Sequence, residues 1–201
     1  MTHLAAALIR ARTELERLGV RWALVGGLAL AVRAEPRQTR DVDLAIVVSN
    51  DTEAEFLVRE LTSRGFRFLE EDAVMEHSPS KRLAVVRLQP PPGDERSAVV
   101  DLLFHSSGIE QEVVAAADEL EVFPGLQLPV ATRGHLIALK VLASRPQDVA
   151  DADSLLRFAN GDDIAQAREA LDLIERRGCD RGKDLQGALA RRVAGEAEPG
   201  K

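Results

Sequence analysis

The 201 residues contain no tyrosine, one tryptophan, one cysteine and two methionines. With Cys179 alone, an internal disulfide is excluded, and its polar surroundings, Arg177-Gly178-Cys179-Asp180, hold no second cysteine to build a redox or zinc motif. With so few aromatics, an aromatic platform for stacking bases is poorly supported. No apolar run approaches the roughly 20 residues that cross a bilayer, and the first residues lack a signal-peptide pattern, so a cytoplasmic protein without a membrane association is expected. His77, His105 and His135 show no metal-ligand spacing and read as ordinary surface or core histidines. A net charge of −7 argues against broad, non-specific nucleic-acid binding, although it leaves room for a local basic patch.

What is present suits one cored domain, or a core with a small appendage. Leu4 to Leu18 reads as an amphipathic helix, Arg21–Val25 as a short buried strand, and Leu28–Arg33 as helix. Asp41 opens an apolar strand running to Val48, and Asn50-Asp51 caps a helix reaching about Arg64. Phe66–Leu69, Leu83–Leu88 and Ser97–Phe104 read as strands, with Pro90-Pro91-Pro92-Gly93 as a loop. A helix is expected from about Ile109 to Leu120, an extended segment at Leu126–Val130, and helices from Thr132 onward, with Glu196–Lys201 frayed. The expectation is an α+β protein: a mixed β-sheet flanked by helices at about 1–130, followed by a helical C-terminal part at 131–201.

The densest chemical signal lies between residues 24 and 44. Gly26-Gly27 joins a strand to a helix; glycines allow a tight turn and the approach of a ligand to backbone, and the free N–H groups of the helix start suit a phosphate. Taken alone, such a turn is usually only a turn. Asp41 and Asp43 stand two apart on a strand, so both carboxylates project from one face while Val42 and Leu44 pack the other way. Paired anions call for a cation, and oxygen-only ligands suit Mg²⁺, which is commonly held by one or two carboxylates plus substrate phosphates. The competing reading is a solvated strand end. Asp101 is a lone charge inside Ala98–Phe104, costly unless paired or bound to metal; beside Asp43 it supplies a third carboxylate, able to take the proton of an attacking hydroxyl. An edge-strand aspartate facing water is the alternative.

Gly26-Gly27, Asp41-Val42-Asp43 and Asp101 in this order resemble the signature of the DNA polymerase beta-type nucleotidyltransferase superfamily. Arg37-Gln38-Thr39-Arg40 before the first aspartate, and Lys140 followed by Arg145, Asp148 and Asp151, are similar to the AbiEii/AbiGii-type nucleotidyltransferases, toxins of bacterial toxin–antitoxin and phage-defence systems. The resemblance implies a metal-dependent enzyme that moves a nucleoside monophosphate from a nucleoside triphosphate to an acceptor hydroxyl with release of pyrophosphate. Its metal ligands and catalytic carboxylates would be Asp41, Asp43 and Asp101, with Mg²⁺, or Mn²⁺ in its place. Its nucleotide-binding residues would be Gly26, Gly27, Thr39, Arg40, Lys140, Arg145 and Asp148. The acceptor would be an RNA 3′ end or a small molecule, as in antibiotic adenylylation, and the partner a cognate antitoxin; a catalytically silent nucleotide-binding regulator is the remaining alternative.

Some residues stay open at this point. Lys140 interrupts the apolar helix Leu136–Ala143 and needs an anion, either a triphosphate or an aspartate, unless it snorkels to the surface. Arg145, Asp148 and Asp151 stand three apart near a helix start marked by Pro146, a pattern equally natural for a structural ion-pair and capping cluster. Arg33, Arg37 and Arg40 either meet a triphosphate or RNA end or form a solvated loop.

Overall fold

The computed structural model describes residues 2–69, 76–77, 83–91 and 98–195, and of 76–77 the backbone only. The chain opens with α1 (His3–Arg17), whose first turn is capped by the Thr2 hydroxyl accepting from the Ala5 N–H. β1 (Trp22–Val25) runs without a loop into α2 (Gly26–Arg33), then β2 (Asp41–Ile46) and α3 (Asp51–Ser63) follow. The Asn50 side chain caps α3 by accepting from the Glu53 N–H. Next come β3 (Arg67–Phe68), β4 (Glu76–His77), β5 (Leu83–Gln89), β6 (Val99–Leu103), α4 (Glu110–Ala115), β7 (Asp118–Phe123) and β8 (Leu126–Val130). From there every element among the described residues is a helix: α5 (Arg133–Ala143), α6 (Pro146–Arg157), α7 (Gly161–Arg176) and α8 (Leu185–Ala194).

The strands form one mixed sheet in the order β3-β5-β6-β2-β1-β8-β7, with β4 also paired to β5. β1 and β2 are antiparallel, β2 and β6 parallel, β5 and β6 antiparallel, and β8 joins β1 in parallel. The middle strands are covered on both faces: all four residues of β1 are buried, as are Val42, Leu44, Ala45 and Ile46 of β2. That explains why these segments read as continuous apolar runs. The α+β expectation therefore holds, and a single buried cluster joins Leu8, Leu24, Leu44 and Leu102 to Leu136, Leu171 and Leu189 of the later helices.

One element differs from its sequence reading. The helix expected to reach Leu120 stops at Ala115, and Asp118–Phe123 is a strand paired antiparallel with β8. Its alternation of Glu119 and Glu121 with Leu120 and Val122 has the period of a strand, and Pro124-Gly125 turns the chain back. Smaller differences are boundaries: β2 ends at Ile46, before the apolar run does, and β3 is two residues long. The start of the Ser97 strand, the second half of the proline loop and the frayed tail lie outside the described residues. Among the described residues no helix is long and apolar enough to cross a membrane.

The helical segment is tied to the sheet by Arg33 at the end of α2. Its guanidinium donates to the carbonyls of Val130 and Ala131, where β8 passes into α5, and to Asp118 of β7. Arg133 answers by donating to the Arg33 carbonyl and to Asp163 of α7. Arg33 therefore forms no solvated loop, and its donors are taken by protein oxygens: it is an architectural tie, which neither sequence reading anticipates.

Candidate active site

The site lies where β1 ends and β2 begins. Gly26, the first residue of α2, has φ of +65°, and a Cβ there would fall 1.9 Å from Oδ2 of Asp43. Glycine is therefore required twice over, for its backbone conformation and for the carboxylate that occupies the place of a side chain. The Gly27 N–H donates to Asp43, and a Cβ on Gly27 would come within 2.6 Å of Thr39 Oγ1. Thr39 thus closes over the turn, its hydroxyl turned to the Asp41 carbonyl at 3.4 Å. Arg40 is exposed and forms no ion pair among the described residues.

Strand register collects the acids. Asp43 stands opposite Asp101 in the parallel β2–β6 ladder, and Asp101 opposite Arg87 in the antiparallel β5–β6 ladder. Directly opposed residues share a face, so Arg87, Asp101 and Asp43 form a row across three strands, with Asp41 on the same face as Asp43. Asp101 is 9% exposed at its side chain and accepts two hydrogen bonds from Arg87, Nε to Oδ1 at 2.8 Å and Nη2 to Oδ2 at 2.7 Å. That fork raises the Arg87 guanidinium further above its ordinary range. Asp43 has no such partner. Burial foremost, then the negative charge of Asp101, push its carboxyl from 3.8 up to about 6, with Asp41 adding to the rise; Lys140 and the Gly27 N–H pull the other way.

The second half of the site comes from α5 and α6. Lys140, on an otherwise apolar helix, is buried and ion-paired to Asp148 at 3.0 Å and to Asp151 at 2.8 Å. Its anion is thus a pair of aspartates, while its charge still reaches Asp43. Asp151 also accepts a fork from Arg37, at 2.7 and 2.9 Å, and a bond from Gln147 at 3.0 Å. Asp148 accepts from the exposed Arg145, Nε to Oδ2 at 2.6 Å, and from the Arg145 N–H at 3.2 Å, which caps α6. Burial pushes both carboxyls up, and their hydrogen bonds outweigh it, so both lie below the ordinary 3.8. Three cations against two acids make this network a net positive wall beside the acidic row.

Of the expected site residues, the structure brings Gly26, Gly27, Thr39, Asp41, Asp43 and Asp101 together, with Lys140 beside them. Asp148 touches Lys140 and Arg145 and holds them in place, and Arg37, not Arg40, is the loop arginine that binds the helical half. Among the described residues no three acidic, histidine or cysteine side chains close into a ready metal cage; Asp101 is engaged by Arg87. Arg87 went unread in the sequence, although it carried the same signal as Asp101: a charge within an apolar strand.

This is a nucleotidyltransferase fold. A crystal structure of an antigenic nucleotidyltransferase-like protein from Paracoccidioides brasiliensis aligns with a TM-score of 0.50 at 18% identity, over 92% of this chain and 89% of that one. Two further solved structures align less well: lincosamide antibiotic adenylyltransferase LnuA, lincomycin-bound, with a TM-score of 0.48 at 13% identity over 77% of this chain and 97% of that one, and the antibiotic-resistance factor ANT(2'')-Ia with 0.45 at 15% identity over 94% and 89%. The chain belongs to the AbiEii nucleotidyl transferase toxin family of type IV toxin–antitoxin systems, whose model matches residues 8–199. No curated protein matches it in sequence. Family membership supports nucleotidyl transfer as the class of reaction.

Two stability predictions follow from the charges. Asp151→Ala strands Arg37 and leaves Lys140 one partner, and is expected to cost on the order of 3 kcal/mol in urea unfolding at pH 7. Because the folded Asp151 carboxyl lies below its ordinary value, that contribution is present above pH 3.8 and fades as the pH falls below it. Asp43 has the opposite sign. Its carboxyl is raised to about 6, so in metal-free protein it opposes folding increasingly as the pH climbs from 3.8 through that value. Asp43→Asn is expected to stabilise the metal-free protein by on the order of 2 kcal/mol at pH 8 and by little at pH 4; equal effects at both pH values would contradict the assignment.

Proposed function

We propose that this protein is a metal-dependent nucleotidyltransferase that joins a nucleoside monophosphate, taken from a nucleoside triphosphate, to a hydroxyl of an RNA 3′ end. The observation that carries the reading is the register of Asp43 against Asp101 beside the Gly26-Gly27 helix start. Asp41 and Asp43 fit a hard divalent cation: their donors are all oxygen, they share a strand face, and Asp43 is short of positive charge. Mg²⁺, or Mn²⁺, would be held there, supplying charge neutralisation for the phosphates and for the oxygens that attack and leave.

The chain's own groups account for the remainder. The N–H groups opening α2 receive phosphate oxygens, as a helix N-terminus does, and the Thr39 hydroxyl closes the turn behind them. Lys140, held by Asp148 and Asp151, contributes a fixed positive charge toward the acidic row. Arg40, exposed at the mouth, meets the outer phosphates. A carboxylate of the row, Asp101, draws the proton from the acceptor hydroxyl; the oxygen of that hydroxyl forms the new bond to the α-phosphorus, the bond from that phosphorus to the bridging oxygen breaks, and pyrophosphate leaves. The family's designation as the toxin of a type IV system supports a toxic role and a cognate antitoxin partner for this chain.

Purified protein incubated with Mg²⁺, each labelled nucleoside triphosphate in turn and total RNA is expected to label RNA. Asp43→Ala should abolish the label, a loss of at least about a thousandfold, while the circular dichroism spectrum stays that of a folded protein. Label confined to an added aminoglycoside or lincosamide would move the acceptor to a small molecule. A folded Asp43→Ala protein that still transfers would sink the site.

A further inference from the structure

Arg87 is the only residue among those described whose side chain forms an ion pair with any of the three carboxylates at the site. Its fork covers both oxygens of Asp101, while its own side chain remains 46% exposed. The guanidinium thus reaches Asp101 from the solvent side, on a strand position whose backbone neighbours, Val86 and Leu88, are the buried ones. It can leave without opening the core. Asp101 lies opposite Asp43, so any divalent cation drawn to the acidic row meets Arg87 as a like charge already seated on one of its acids.

We infer that Arg87 is a positioning residue that sets how tightly the acidic row holds its divalent cation, by competing with that cation for Asp101. This rests on the metal-site reading of Asp41 and Asp43 given above. In the cation-free protein Arg87 holds Asp101 aimed along the row by its two hydrogen bonds, and its charge offsets part of the repulsion among the acids. A cation bound on the row would compete with Arg87 for the Asp101 oxygens, so the fork would have to release at least one of them. Lys140 cannot substitute for it, because its ammonium is tied to Asp148 and Asp151 on the other side of the site.

The test is Mn²⁺ binding to nucleotide-free protein, followed by the loss of the free-ion electron paramagnetic resonance signal, for the wild type, Arg87→Met, Arg87→Lys and Asp43→Asn. Arg87→Met keeps an unbranched stem and removes the charge; it is expected to bind Mn²⁺ about tenfold more tightly than the wild type. Arg87→Lys keeps the charge without the fork and should fall between the two. Asp43→Asn should lose saturable binding. Equal or weaker Mn²⁺ binding by Arg87→Met and Arg87→Lys, with Asp43→Asn still abolishing it, overturns the role of Arg87 and leaves the metal site standing. No saturable binding by wild type or either Arg87 variant overturns the metal-site reading, and this inference with it. Urea unfolding of each variant separates a merely structural arginine, whose loss would lower stability without moving the Mn²⁺ affinity.

Discussion

Repulsion among Asp41, Asp43 and Asp101 is the constraint around which the rest of the molecule is arranged. Strand register forces two of them face to face at the centre of the sheet, where screening by water is weak and each negative charge raises the cost of the next. The protein offsets this unevenly. Asp101 receives an arginine with both hydrogen bonds satisfied, whereas Asp43 receives only the Gly27 N–H and the more distant charge of Lys140. The unevenness leaves the Asp43 carboxylate without a cation partner while both oxygens of Asp101 are held by Arg87.

The positive side of the site is held at a distance by the same logic. Lys140, Arg37 and Arg145 are each paired with Asp148 or Asp151. Asp148 and Asp151 keep them in place, both almost fully buried and both hydrogen-bonded at every side-chain oxygen. A buried network of this kind contributes less through net stability than through geometry. It also makes the loop before β2 depend on α6, since Arg37 lies in that loop and Asp151 on that helix. The site therefore forms only when the helical segment is docked, a docking reinforced by Arg33 at the β8–α5 junction and by the shared hydrophobic cluster.

Much of this was legible in the residues. The period of a strand places Asp41 and Asp43 on one face, and the Gly26-Gly27 pair signals a close approach to backbone, although at Gly26 the group that approaches is the Asp43 carboxylate rather than a ligand. Asp101 and Lys140 were conspicuous because each put a charge into an apolar run, which must be compensated somewhere. What could not be read was the identity of the compensating partners, because that depends on register and docking between segments far apart in sequence. Hence the residues alone leave Lys140 between a triphosphate and an aspartate, and nothing in the order of residues shows that Arg87 stands opposite Asp101. Strand β7 is hard to read for a local reason: Glu119, Leu120, Glu121 and Val122 follow closely on a helix that ends at Ala115, and their alternation is too short to stand out from it.

In the function proposed here, Asp41 and Asp43 would hold a divalent cation and the triphosphate would complete its ligands. Anomalous diffraction from crystals grown with Mn²⁺ and a non-hydrolysable nucleoside triphosphate tests it most directly. The account predicts a manganese peak bridging the carboxylates of Asp41 and Asp43 and the phosphates, with phosphate oxygens on the N–H groups that open α2. Nucleotide density at the helix start with no manganese on Asp41 or Asp43, or manganese bound elsewhere, would contradict it.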